Sequence, residues 1–147
     1  MSVMVFDGTS LATDSFANNG DLAFPYPKMW CPNGAAQPCL IYGVLGTLNA
    51  ASALRQWCDT GLEPSQFPAS LVAGTGAQLV IVSREKGLLR YNNSPIPHLH
   101  GLSKLAIGEG APFAYGAMDH GATAEQAVAT AIKYSIHCNG VPEVMYL

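Results

Sequence analysis

Two histidines stand two residues apart in Pro97-His98-Leu99-His100. In an extended segment that spacing puts both rings on one face. With Asp119, His120 or His137 they offer donor types that a zinc ion accepts. Nothing local forces those residues together, and no Cys/His pair has finger spacing, so a pair of loop histidines without metal is the expectation. The four cysteines, Cys31, Cys39, Cys58 and Cys138, lack C-x-x-C spacing and read as reduced, buried small hydrophobes. Gly74-Thr75-Gly76 and Gly108-Glu109-Gly110 are glycine turns. The second precedes a helix, where an anion can rest, but Glu109 brings its own negative charge. Neither turn has a full phosphate-loop pattern, and no cofactor is expected.

The elements that must position these groups follow from periodicity and breakers. Val3 to Phe6 and Ser10 to Asp14 read as strands joined at Asp7-Gly8, a strong hairpin signal. Leu22 to Phe24 reads as a short strand and Lys28 to Trp30 as extended chain. Pro32-Asn33-Gly34 is a turn, and Cys39 to Gly43 a buried strand. Thr47 is placed to cap a helix whose Ala50, Ala51, Leu54, Trp57 and Cys58 share one face, with Gly61 as its stop. Glu63 to Leu71 suggests a short helix broken by Pro68. Gln78 to Ser83 and Gly87 to Tyr91 are strands, Asn92 to His100 a proline-rich loop, and Lys104 to Ile107 a further strand. Pro112 to His120 reads as helix, ended by Gly121. Thr123 with Gln126 has the capping-box pattern, and Ala127, Val128, Ala131, Ile132 and Ile136 form an apolar stripe behind it. Asn139-Gly140 is a left-handed stop before a strand from Glu143 to Tyr146.

Composition bounds the function. The chain has 147 residues, which fits one domain spanning 1–147. Hydrophobic residues make up 49% and charged residues only 12%, so surfaces buried in a homo-oligomer or a larger assembly are expected. No apolar run is long enough to span a membrane. A net charge of -3, and tyrosines and tryptophans not interleaved with basic residues, exclude a nucleic-acid platform. Met1 to Gly8 lacks the basic start and apolar core of a signal peptide, so a cytoplasmic location is expected. Two separated pairs of helices around antiparallel strands suggest an α+β fold, a four-layer α-β-β-α sandwich, with an ordinary two-layer domain as the alternative.

The chain also resembles the proteasome β-subunit and HslV-like family of N-terminal-nucleophile hydrolases. Phe6-Asp7-Gly8 followed by Leu11-Ala12-Thr13-Asp14-Ser15 is similar to the family's opening hairpin. Tyr42 to Thr47 running into a helix is similar to its glycine-serine step. Ala106 to Gly110, Tyr115 to Asp119, Ala124 to Ala127 and Cys138-Asn139-Gly140 match its later segments. The likeness covers nearly the whole chain and is weakest over Glu63 to Leu71, where one helix layer is shortened. Related short reading frames are carried by bacteriophages.

The resemblance implies chemistry at the first residue. The family uses that residue's side chain as nucleophile and its α-amine as general base, an amine whose ordinary pKa of about 7.7–8.0 suits the task. A lysine lowers the pKa of the hydroxyl, and an aspartate anchors the lysine. Lys28 and Asp14 stand at those two positions. Counted back from Gly8, the first strand begins late, so the nucleophilic threonine falls before Met1. The second aspartate of the family falls on Ser135, and the serine of its Gly-Ser-Gly turn on Glu109. The expectation is therefore a proteasome-like protein that has lost peptidase activity, with Ser2, Asp14 and Lys28 as vestigial residues, acting as a structural or assembly subunit in a cell or a phage virion. One alternative is an active N-terminal serine peptidase that exposes Ser2 by removal of Met1. Another is a non-enzymatic α+β binding module.

Overall fold

The structure is a computed structural model and describes residues 2–19, 21–32, 40–100 and 104–147. The turn expected at Pro32-Asn33-Gly34 and the strand start at Cys39 fall largely on residues 33–39, outside the described residues.

Val3–Phe6 (β1) and Ser10–Asp14 (β2) pair as the hairpin that Asp7-Gly8 announces, with Met4 opposite Thr13 and Phe6 opposite Leu11. The Asp7 carboxylate ties the turn by accepting from Thr9 N at 2.9 Å and Ser10 N at 2.8 Å. Phe16–Asn19 (β3) and Leu22–Pro25 (β4) form a second hairpin. β3 was not expected from Phe-Ala-Asn-Asn, which has little intrinsic strand character; pairing with β4 supplies what propensity does not.

Met29–Trp30 (β5), Leu40–Leu45 (β6), Gln78–Ser83 (β7), Gly87–Tyr91 (β8) and His98–His100 (β9) build an antiparallel sheet in that order. β9 corrects the reading of residues 92–100 as loop throughout. Leu89 faces Leu99 and Arg90 faces His98 at the sheet edge. Pro97, which has no N–H to donate, immediately precedes that edge strand, a position that tolerates it. Leu105–Gly108 (β10) and Pro142–Tyr146 (β11) flank the first hairpin in a second sheet ordered β10-β1-β2-β11.

Among the described residues four α-helices accompany the sheets. Leu48–Asp59 (α1) buries Ala50, Ala51, Leu54 and Trp57, and Thr47 occupies its N-cap without a side-chain hydrogen bond. Pro64–Gln66 is a single 3₁₀ turn, and Pro68 separates it from the one-turn helix Ala69–Val72 (α2). Ala111–Asp119 (α3) and Ala124–Tyr134 (α4) are full helices. The capping box forms as expected: Gln126 N donates to Thr123 Oγ1 at 3.3 Å, and Thr123 N donates to Gln126 Oε1 at 3.0 Å. Asp7 Oδ2 accepts from Ala124 N at 2.8 Å, tying the β1–β2 turn to the same helix start. α4 ends before Ile136. Ser135 is already extended (φ -98°, ψ 126°), and Ile136 is 90% exposed rather than part of the buried stripe.

Three apolar clusters hold these parts together. Val3, Val5 and Ala12 pack on Ala114 and Met118 of α3 and on Ala127, Val128 and Ala131 of α4. Alternation along β1 turns Met4 and Phe6 the other way, against Ile41, Val80, Val82 and Leu88 of the five-stranded sheet. Gly43 permits that approach, since a Cβ there would lie 2.5 Å from Met4 Cε. On the far side of the five-stranded sheet, Val44, Leu79 and Ile81 meet Ala50, Leu54 and Trp57 of α1. Trp57 packs edge-on against Phe67 and Tyr91 and donates from Nε1 to Glu63 O at 2.8 Å, which anchors the short segment after α1.

Candidate active site

Lys28 lies just ahead of β5, where its carbonyl accepts from Val44 N at 2.9 Å and fixes the backbone. Its side chain is buried and runs toward β1. Nζ donates to Ser2 Oγ in a short contact and to Phe16 O at 2.7 Å, and it pairs with Asp14 Oδ1 at 2.8 Å. Asp14, at the end of β2, also accepts from Val3 N at 3.0 Å and from Asn139 N at 3.3 Å. Ser2, Asp14 and Lys28 are 4%, 0% and 3% exposed. Burial lowers the Lys28 pKa, while the charge of Asp14 and its hydrogen bond to the lysine oppose that shift.

The structure thus brings together the three residues that the sequence comparison set apart. Counted from Gly8, the family's nucleophile position falls before Met1; which residue of this chain meets Lys28 is set by the cross-strand register. Met4 faces Thr13, which carries Val3 to Asp14 and places Ser2 beside them.

Ser2 and Lys28 open onto a cavity of about 730 Å³, a size in the range of small-molecule sites. Its wall includes Ser2, Lys28, Gly46, Thr47, Gly108 and Glu109. Gly46 has φ +130°, and a Cβ there would lie 2.6 Å from Ala77, so this lip demands glycine. Thr47, Leu48 and Asn49 bring the start of α1 to the wall.

Two further segments lie close to Ser2 and Gly110. Gly110 N donates to Ser2 O at 3.2 Å. Cys138 is buried against Gly110, and burial raises its thiol pKa. Ser135, 8% exposed, accepts from His137 N at 3.2 Å. His137 Nδ1 lies 3.1 Å from Glu109 Oε2, a half-exposed pair. Sequence reasoning named Glu109, and His137 only as a possible metal donor; their pairing was missed, since nothing in the spacing of residues 109 and 137 marks it.

The remaining histidines are dispersed. His98 is on the β9 edge opposite Arg90, and His120 Nδ1 lies 2.9 Å from Gly116 O of its own helix. Among the described residues no group of three His, Cys, Asp or Glu is placed to hold a metal ion. Cys31, Cys58 and Cys138 are free thiols, with Cys58 pushed up to about 12, chiefly by burial; Cys39 lies outside the described residues.

No protein-family model and no curated protein sequence matches the chain. Solved structures do. HslV from Trypanosoma brucei superposes with a TM-score of 0.65 at 18% identity, over 99% of each chain. The BPH protein of Thiobacillus denitrificans in complex with epoxomicin gives 0.68 at 15% identity, covering 100% of this chain and 99% of that one. A Gly-1 mutant of Anbu from Hyphomicrobium gives 0.74 at 13% identity, over 100% of this chain and 81% of that one. Likeness at this identity defines the fold. The chain has the α+β fold of HslV and Anbu.

Proposed function

We propose that this protein is an N-terminal serine hydrolase acting on peptide bonds, with Ser2 as nucleophile once Met1 has been removed. The observation that carries this reading is the contact of Lys28 Nζ with Ser2 Oγ on the cavity wall, with Lys28 pinned by Asp14. A buried ammonium against the hydroxyl favours its alkoxide form. The freed α-amine takes the hydroxyl proton as Oγ attacks the substrate carbonyl, and returns it to the departing amine. Water then hydrolyses the Ser2 ester. The first turn of α1 lines the same cavity and offers its N–H groups and the positive helix end to the developing oxyanion. The reading departs from the expectation of a vestigial site because the three residues form one connected, buried network.

The fold we read as a four-layer α-β-β-α sandwich with the α1/α2 layer shortened. Three contacting clusters in series, α3/α4 on one sheet, sheet on sheet, and sheet on α1, support it.

Intact-mass measurement and turnover of fluorogenic peptides test the activity. The expected outcome is a chain lacking Met1 whose turnover is lost in Ser2→Ala and competed by epoxomicin, the ligand seen with the Thiobacillus protein. Turnover that survives Ser2→Ala overturns the assignment.

A structural role in a homo-oligomer or larger assembly, in a cell or a phage virion, has separate support. Phe113 and Tyr134 stack at 6.2 Å between ring centroids on the outside of α3 and α4, and exposed Tyr115 and Ile136 belong to the same two-helix region. Exposed apolar residues of this kind mark interaction surfaces. Light scattering of the wild type and Ser2→Ala checks it: assembly without turnover in either would leave the structural role alone.

A further inference from the structure

The Glu109–His137 pair has no part in the chemistry above, yet Glu109 lines the same cavity. The backbone of Ser2 is held by the two glycines that flank Glu109. Gly110 N donates to Ser2 O at 3.2 Å, and a Cβ on Gly108 would collide with that same oxygen. On its other side, a Cβ on Gly110 would lie 2.5 Å from Cys138 Sγ and 2.8 Å from Val3 Cβ. The segment carrying Glu109 is therefore locked against Ser2. Its carboxylate is held at the rim by His137 Nδ1 at 3.1 Å, instead of sweeping freely through solvent.

We infer that Glu109, oriented by His137, is a positioning residue that supplies the counter-charge for the α-amine of Ser2 after Met1 is removed. The inference rests on the reading of Ser2 as an N-terminal nucleophile. The other charges around the site do not meet this need. Lys28 is a cation in contact with Ser2 and repels a second ammonium. Asp14 faces the site from β2, but it is bound to Lys28, to Val3 N and to Asn139 N. Glu143 on β11 acts on Lys28, and Cys138 keeps its proton because its pKa is raised by burial. Glu109 is the carboxylate beside Ser2 on the cavity wall: it follows Gly108, which pairs with Val3 across β10 and β1.

The consequence is kinetic as well as electrostatic. The amine becomes an ammonium when it takes the serine proton, and a carboxylate beside it stabilises that ion, as a buried aspartate stabilises an imidazolium in a catalytic triad. The same carboxylate raises the amine pKa, so more of the base is protonated at neutral pH.

The test uses the full chain with Ser2 at its N-terminus, confirmed by intact mass, and ¹⁵N label at Ser2. The amine is titrated by NMR, and peptide turnover is followed against pH. In Glu109→Gln the amine titration and the acid limb of the rate profile move down together by about one pH unit. The high-pH plateau falls about three- to tenfold, as the ammonium loses its partner. His137→Ala gives a smaller shift of the same sign, and the double variant matches Glu109→Gln alone. An unchanged amine titration in Glu109→Gln overturns the inference even when Ser2-dependent turnover is present. A shifted titration without turnover in any variant upholds the counter-charge and instead removes the hydrolase reading.

Discussion

The pairs Lys28–Asp14 and Glu109–His137 each bring one residue to the wall of the same cavity, and they differ in nearly every physical respect. Lys28 and Asp14 are buried, with side chains 4% and 1% exposed, and every contact of their charged ends is to a fixed group. Glu109 and His137 are 48% and 42% exposed. Removing one partner of a buried pair strands a charge with no water to solvate it. An exposed pair gains little from its Coulomb attraction, because water already solvates both groups. The contrast teaches that one wall of the site is built to hold a geometry and the other to adjust a charge.

The largest effect is expected from breaking the buried pair. Asp14→Asn removes the anchor of Lys28 and should cost about 3–5 kcal/mol of stability, measured by urea unfolding. Lys28→Met alone strands the Asp14 carboxylate and should cost a similar amount. The double variant Asp14→Asn/Lys28→Met should lose clearly less than the sum, because no charge is left uncompensated. Additive losses would show that the two groups are not a pair in solution.

A mid-sized effect is expected at Asp7, a carboxylate of intermediate exposure. Burial raises its pKa, but hydrogen bonds from Ala124, Thr9 and Ser10 outweigh this and lower it from 3.8 to about 2. A depressed carboxylate stabilises the fold above its unfolded pKa, and that stability is lost as pH falls through the folded one. The loss therefore falls between about pH 4 and pH 2. Asp7→Asn should cost about 1 kcal/mol at neutral pH, allowing for solvent screening, and should flatten the stability profile across that window. A profile with the same slope in the variant would mean that other carboxylates carry it.

The smallest stability effect belongs to the exposed pair. Glu109→Gln and His137→Ala should each change stability by less than about 0.5 kcal/mol in thermal or urea unfolding. A loss comparable to that of Asp14→Asn would erase the contrast between the walls.

Much of this arrangement was legible in the order of residues. The β1–β2 hairpin, the strands at 78–83 and 87–91, and the capping box of α4 formed where local chemistry placed them. Each is set by neighbours a few residues apart. What depends on pairing with a distant partner was harder to see. The edge strand β9 exists because β8 is beside it. β3 exists because β4 returns against it. The stripe of α4 suggested that Ile136 continues it, but the chain leaves the helix at Ser135 so that Cys138 can pack under Gly110.

The candidate site divides the same way. The sequence by itself marked Ser2, Asp14 and Lys28 as residues of interest and Glu109 and Ser135 as departures, because side-chain type and motif position are properties of the chain. Only the tertiary structure decided that Lys28 reaches Ser2, and that His137 holds Glu109 across 28 residues of sequence. The reason is geometric. Residues near the base of a hairpin are placed by its cross-strand register, and residues on separate elements by how the sheets and helices pack. Neither quantity is written in the spacing along the chain.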